Sequence, residues 1–294
     1  MSRGKFVYKD QSSRDKMLAF YDRAMEDLNV QYREEYIETS YGTTHIVIAG
    51  DETKPPVFTV HGGNGITPLN LKLFLPLLRD HCLITPDVIG MPGKSAPYRT
   101  LNTNKDDYGR WLVEILDILK IDKIPFVVSS YSSAMLLSLA QVAPQRIEKA
   151  ALVVPSGIAH GSLMPILRSM TVPMLKYYFV QSDKSFKKIM QYMATEDDEQ
   201  MEEFFKLMMS SYKMEMKPPR EFSKDDLKNF AAPIVLFASD DDIFFPANRV
   251  FPRAKEIFAN MPELIKITGN HLPSADTMSF VCERIGEAFK SINY

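Results

Sequence analysis

Only two cysteines, Cys82 and Cys282, occur in 294 residues, each beside apolar neighbours. That is too few for a disulfide scaffold, and both read as small buried apolar side chains of a protein kept in a reducing compartment. Cysteine and histidine show no zinc-type spacing, and there is no glycine-rich phosphate loop, so nothing in the pattern calls for a metal or a cofactor. An excess of one charge is also missing. A net charge of −2 and a pI near 6.2 leave no field to attract nucleic acid or an anionic membrane. No stretch approaches the ~18 apolar residues that cross a bilayer. The leader Met1-Ser2-Arg3-Gly4-Lys5 runs into charged sequence without an apolar signal core, so the expected location is the cytoplasm.

What is present suits a large globular fold. With 45% hydrophobic and 24% charged residues, the chain can bury a sizeable core in one α/β domain or a domain with an insert. Residues 12–31 repeat Met17, Phe20, Tyr21, Ala24, Met25 and Leu28 at helical spacing, with Ser12 and Asp15 as a capping box, and 1–34 form a helical N-terminal extension. Strands are expected at 35–39 and 45–49. Beyond Pro55-Pro56, the run Val57-Phe58-Thr59-Val60 reads as a strand buried on both faces, the mark of a parallel sheet.

Helices and strands then alternate: helix 71–78, strand 82–85, helix 107–119, strand 126–128, helix 132–142 and strand 150–154. The rhythm breaks over 156–230, where helical patterns dominate, and resumes with strands at 233–237 and 264–268 and helices at 248–258 and 275–292. This predicts a single α/β domain over 1–294, with a mostly parallel central sheet, helices on both faces, and 156–230 inserted as a helical cap.

In an open parallel sheet, ligands bind beyond the C-terminal strand ends. Those ends lead into His61-Gly62-Gly63-Asn64-Gly65, Asp87-Val88-Ile89-Gly90-Met91-Pro92-Gly93-Lys94-Ser95, Ser129-Ser130-Tyr131-Ser132-Ser133, Ser239-Asp240-Asp241-Asp242 and Gly269-Asn270-His271. A serine, an aspartate and a histidine, in that order, thus fall at one sheet edge, as a Ser-His-Asp triad requires.

In these landmarks the sequence resembles the α/β-hydrolase superfamily, in its serine esterase and proline iminopeptidase-like branch. "HGG" looks like that family's oxyanion loop and "DVIGMPGKS" like its Asp-x-x-Gly-x-Gly-x-Ser stretch. "LKIDKIPFVVSS" resembles the strand entering its nucleophile elbow, and "SFVCERIGEAFK" its final helix. The usual Gly-x-Ser-x-Gly is degraded, yet the flanking spacing from Leu119, and "LSLAQVAPQRI" downstream, place the nucleophile on Ser130. Val128 and Ser132 then stand where the family has glycine. Ser132 is the competing nucleophile, with better small neighbours but the wrong flank spacing.

The family's acid precedes a proline by four residues, so Pro246 selects Asp242, with Asp241 as runner-up and Asp240 as a solvated turn residue. Of the five histidines, His271 alone has the context of a general base. His45 and His81 read as structural, His61 as turn-shaping, and His160 stays open. The resemblance implies a mechanism in which Asp242 orients His271, and His271 deprotonates Ser130. The oxyanion meets the N–H groups of Gly63 and Tyr131, and water releases the acyl group without a cofactor.

Ten of the seventeen methionines lie between Gly161 and Met216, among aromatics. Most of these are ordinary core, and part of the set is expected to line an apolar acyl or alcohol site. The acidic residues Glu196 to Glu199, Glu202 and Glu203 read as a solvated helix start, or as a holder of a substrate amine. The amine reading goes with a proline iminopeptidase-like aminopeptidase, since "HGGNG" is close to that group's His-Gly-Gly-Pro-Gly. A non-catalytic ligand- or partner-binding protein is the other alternative, motivated by Val128. The expected partner is a small-molecule substrate; a homodimer is left open.

Overall fold

The structure, a computed structural model, describes residues 4–102 and 105–291; Met1–Arg3 of the leader and Ile292 of the expected last helix lie outside the described residues. The strands are β1 (Lys5–Phe6), β2 (Tyr32–Thr39), β3 (Gly42–Ala49), β4 (Pro56–Val60), β5 (Cys82–Pro86), β6 (Tyr98–Arg99), β7 (Ile124–Ser129), β8 (Ile147–Val153), β9 (Ile234–Ala238) and β10 (Glu263–Lys266). The helices are α1 (Gln11–Asp27), α2 (Thr67–Phe74), α3 (Asp107–Ile118), α4 (Tyr131–Val142), α5 (Leu163–Ile166), α6 (Val172–Val180), α7 (Asp183–Met193), α8 (Glu199–Ser211), α9 (Ala247–Ile257) and α10 (Ala275–Ser291).

Eight strands form one sheet in the order β10-β9-β8-β7-β4-β5-β3-β2. From β10 to β5 all neighbours are parallel, while β3 pairs antiparallel with both β5 and β2. The short β1 and β6 pair with each other in a separate two-stranded sheet. The mostly parallel sheet expected from the buried strands is therefore present.

Alternation along each strand explains why both faces are covered. Phe58, Val60, Phe126, Val128, Ala150, Leu152 and Leu236 point into a core shared with α3, α4 and α9. Val57, Val127, Ala151, Val153, Val235 and Phe237 point the other way, into a core shared with α1, α2 and α10. Phe186, Met190, Met201, Phe204 and Met208, from the helices between β8 and β9, belong to that second core.

The boundaries differ from expectation for local reasons. Asp10, not a Ser12–Asp15 box, caps α1, accepting the Ser13 amide at 2.7 Å. The helix stops at Asp27 because Asn29 turns left-handed at φ 50°. The helix expected at 71–78 starts at Thr67, with Pro68 in its first turn, and tightens to a 3₁₀ turn over Leu75–Arg79, where Pro76 has no amide to donate. Both cysteines are buried and free, and burial pushes the Cys282 thiol up to about 12.

Between β8 and β9 the chain adds no strand to the sheet among the described residues. A π-helical turn, Leu167–Thr171, joins α5 to α6. Among the ties that hold the segment to the sheet edge, two flank α8. Ala194 bridges Leu272, and the Asn270 side chain donates to the carbonyls of Gln191 and Ala194 at 3.1 and 2.9 Å. At its far end, Asn64 pairs through both side-chain atoms with the backbone of Glu215, at 3.0 and 2.7 Å. α8 lies between these ties.

Candidate active site

The turn from β7 into α4 carries Ser130 at φ 53° and ψ −127°, a region that residues with a Cβ rarely enter. Strain of this size persists only where surroundings over-determine it. Here the Ser130 amide donates to Val153 O at 3.0 Å. Its carbonyl accepts from the Ser133 amide at 3.0 Å, the Ser156 amide at 3.1 Å and the Ser156 hydroxyl at 2.9 Å. Four hydrogen bonds thus hold this one residue's backbone, and the Ser130 side chain projects beyond the strand ends.

Ser132 cannot serve the same purpose. It is fully buried, its hydroxyl donates to Ser129 O at 2.7 Å, and it accepts the Ser129 amide at 3.0 Å. That small polar group closes the turn. Val128, which raised the question of a distorted elbow, is fully buried between Val60 and Leu152 on the sheet. The turn forms around it.

Ser130 Oγ lies 2.8 Å from His271 Nε2, and His271 Nδ1 lies 2.9 Å from Asp242 Oδ2. A carboxylate only accepts, so Nδ1 carries the proton and Nε2 is free to accept the Ser130 hydroxyl. Asp242 is fully buried, and its other oxygen accepts the Phe244 amide at 2.8 Å, which fixes the carboxylate plane. Phe244 and Phe245 flank the imidazole at 5.0 and 5.5 Å between ring centres. Asp241 and Asp240 are both exposed, the latter paired with Lys266. The three residues singled out on the separate loops therefore meet in one hydrogen-bonded chain.

Opposite Ser130 is the loop after β4. The Gly63 and Tyr131 amides find no hydrogen-bond acceptor among the described residues. Gly63 packs so closely on Tyr131 that a Cβ there would come within 2.9 Å of the ring, which explains the glycine. His61 holds the loop in place. Its Nε2 accepts the Val88 amide at 2.9 Å, so Nδ1 carries the proton and donates to Gly62 O at 2.9 Å. Complete burial drives the His61 pKa down and keeps it neutral.

Asp87, of the DVIGMPGKS stretch, lies away from this centre. Its buried carboxylate accepts from His45 Nδ1 at 2.9 Å and the Lys94 amide at 2.8 Å. Burial, the largest single influence, would raise its pKa, but His45, His61 and the Thr67 hydroxyl together more than offset it and hold the carboxyl below the usual range.

A pocket of about 150 Å³ opens over Ser130, between the Gly62–Ile66 loop, His271, Leu272 and the α8 side chains Met201, Phe204, Phe205 and Met208. Among the described residues no carboxylate lines it. Asp198 instead caps α8, accepting the amides of Gln200 and Met201 and the ammonium of Lys72, and Glu196 accepts the Ala275 amide at the start of α10. Among the described residues no group of acidic, histidine or cysteine side chains could hold a metal ion, and no helix is long and apolar enough to cross a membrane.

Reasoning from the sequence missed Ser156, Asn64 as a tie to Glu215, and Asn270 as a tie to α7. Ser156 stands just past the end of β8, so inspecting that strand end with the others would have found it. The partners of Asn64 and Asn270 are distant in sequence, and no local signal points to them.

A sequence model described as the α/β hydrolase fold matches residues 55–200, a stretch that includes Ser130. The chain is 22% identical to the uncharacterized carboxylesterase nap of Bacillus subtilis, over 94% of each chain. It is 20% identical to carboxylesterase YbfK of the same organism, over 90% of each. The crystal structure of naproxen esterase (carboxylesterase NP) from B. subtilis superposes with a TM-score of 0.80 at 20% identity, covering 96% of this chain and 99% of that one. Sheet order, elbow and family match agree, and this chain has the α/β-hydrolase fold.

Proposed function

We propose that the protein is a serine hydrolase of the esterase type, cleaving a small, apolar carboxylic ester at Ser130 through an acyl-enzyme. The observation that carries this reading is the Ser130–His271–Asp242 chain, with Ser130 held at positive φ beside two amides that lack acceptors among the described residues. Similarity to carboxylesterases over nearly the whole chain supports the esterase class.

The steps follow from the geometry. His271 Nε2 takes the Ser130 proton as Oγ attacks the acyl carbon, and Asp242 stabilises the resulting imidazolium. The oxyanion is met by the Gly63 and Tyr131 amides, each such donor contributing ~3 kcal/mol to transition-state stabilisation. His271 returns the proton to the departing alkoxide. A water molecule, deprotonated by the same nitrogen, then releases the acid and restores Ser130. The apolar pocket and its size favour a short acyl group, and its lining, without a carboxylate among the described residues, disfavours a substrate amine.

A fluorophosphonate probe tests the assignment, because Oγ displaces fluoride only if it is activated. Labelling that is present in the wild type and lost in Ser130→Ala, together with turnover of 4-nitrophenyl butyrate, is the expected result. An unlabelled, inactive wild type would overturn it in favour of a ligand-binding role.

A further inference from the structure

A second, far larger cavity of about 1150 Å³ lies between α1, α6, α8 and the segment that follows α8. Its charge is one-sided. Lys9, Lys16, Arg23, Lys206 and Lys213 line it against a single carboxylate among the described residues, Glu203, and Arg23 already pairs with that carboxylate. Lys9 and Lys16 act on the Asp10 carboxylate at the start of α1, and the compensation of the lysines is otherwise weak. Lys206 reaches Glu202 only at 3.8 Å and lies 4.7 Å from the Phe186 ring centre. Lys213 donates to the Phe6 carbonyl at 3.3 Å, and Lys9 sits 5.7 Å from the Tyr178 ring centre. Lys16 has no ion pair among the described residues.

Beside these cations the lining is apolar: Met174, Leu175, Tyr178, Met214 and Met216, with Leu175, Tyr178 and Met216 exposed. Cations set beside apolar side chains are complementary to an anionic amphiphile. The cavity adjoins the site above Ser130. Met214 lines both spaces, and α8 separates them, showing Phe204, Phe205 and Met208 to Ser130 and Leu207 and Ser210 to the larger cavity. The two spaces divide the substrate by size. An apolar cavity of ~150 Å³ holds about one benzene-sized group, so the space over Ser130 takes a short acyl chain and leaves the rest of a longer ester to lie elsewhere.

We infer that this cavity binds the anionic end of the ester, making the substrate a short-chain acyl ester of an alcohol that carries a carboxylate or similar anion on an apolar stem. This rests on the hydrolase reading of Ser130. The anion selects substrate through binding, and plays no part in bond making at Ser130.

The test compares two acetyl esters, 10-acetoxydecanoate and its methyl ester, which differ only in charge at the far end. The expected wild-type KM is about tenfold lower for the anionic ester, an advantage that shrinks as salt rises. The triple variant Lys16→Gln/Lys206→Gln/Lys213→Gln should abolish that advantage through KM, with kcat and the neutral ester unchanged. The corresponding triple Lys→Arg variant should keep it, which guards against a folding effect. Equal KM values for the two esters in an active wild type, or a parallel loss of both in the Gln variant, overturns the inference. Calorimetry on Ser130→Ala separates the two proposals. Tighter binding of 10-hydroxydecanoate than of decanol supports the anion site even if the wild type hydrolyses neither ester, and equal binding overturns it.

Discussion

Replacing Asp242 with asparagine isolates what the buried carboxylate does for His271. Asparagine has the same shape, and its oxygen can keep accepting the Phe244 amide, which now donates to Asp242 Oδ1 at 2.8 Å. Its NH₂ group then faces His271 Nδ1, where the carboxylate oxygen sits at 2.9 Å. Two donors cannot share that contact, so Nδ1 must become the acceptor and the proton moves to Nε2. Nε2 then points a proton at Ser130 Oγ, 2.8 Å away, and can no longer accept one. The imidazolium formed on attack also loses its neighbouring charge. The same change in the triad of a serine protease lowers kcat by ~10⁴, or about 5.5 kcal/mol, and a loss of about 10³- to 10⁴-fold is expected here. The assay is the pre-steady-state acylation rate with 4-nitrophenyl butyrate, beside the rate of fluorophosphonate labelling and a thermal melt. Both rates should fall together while the melt stays near wild type, because every hydrogen bond of the site is still satisfied. Asp241→Asn is the control, since that side chain is exposed and the residue's amide donates to Ser239 Oγ at 3.1 Å. Acylation within tenfold of wild type in Asp242→Asn, or a large loss in Asp241→Asn, would refute the reasoning.

Ser156→Ala removes the hydroxyl that donates to Ser130 O at 2.9 Å but keeps the Ser156 amide bond, so kcat should fall by about tenfold with KM unchanged; an unaltered kcat would show that the other three bonds suffice. Val128→Gly brings the family's residue into the elbow but empties a fully buried site, so urea titration should show a loss of about 3 kcal/mol with no gain in activity. Stability should also decline on acidification through His61. Burial lowers its folded pKa below the usual 6.5, so beneath pH 6.5 the unfolded chain binds a proton that the folded chain refuses. Stability is complete above 6.5 and falls by at most ~1.4 kcal/mol per pH unit per such group below it; a His61→Asn variant with the same acid slope as wild type would remove His61 as the cause.

Most of what the sequence made legible came from periodicity and from position along the chain. Val57 to Val60 and Phe126 to Val128 are apolar at every step or nearly so, and such runs fit only strands covered on both faces. Asp242 was readable because a proline stands four residues on, and His271 because it falls between a strand and the last helix. Helix ends were less legible. Asp10 competes with Ser12 for the start of α1, and Asn29 ends that helix by entering a left-handed conformation that nothing in the apolar repeat signals. The two ties of the segment between β8 and β9 were invisible for a different reason. Asn64 meets Glu215 across 151 residues, and Asn270 meets Ala194 across 76, and a polar pair without sequence proximity leaves no pattern.

The degraded elbow shows why position was a better guide than the motif. A Gly-x-Ser-x-Gly pattern merges two separate demands, room for the helix to turn back on the strand and a positive φ at the nucleophile. Here the positive φ belongs to Ser130 itself and is held by Val153, Ser133 and Ser156, none of which the pattern mentions. The turn is closed from within by Ser132, whose hydroxyl both donates to and accepts from Ser129, so a small polar residue replaces the second glycine with two hydrogen bonds added. Close approach, the other demand, appears where α3 crosses α4. A Cβ on Gly109 would lie 2.3 Å from the Ser138 carbonyl oxygen, and the Gly109 amide donates to Ser138 Oγ at 3.0 Å. Helix α4 is therefore held through its contact with α3 as well as through the turn that begins it. Val128, pointing into the same core as Trp111 and Leu112, fills space that a glycine would leave to those neighbours. Once the glycines' duties are spread in this way, a branched residue before Ser130 becomes part of the packing that keeps that serine in place.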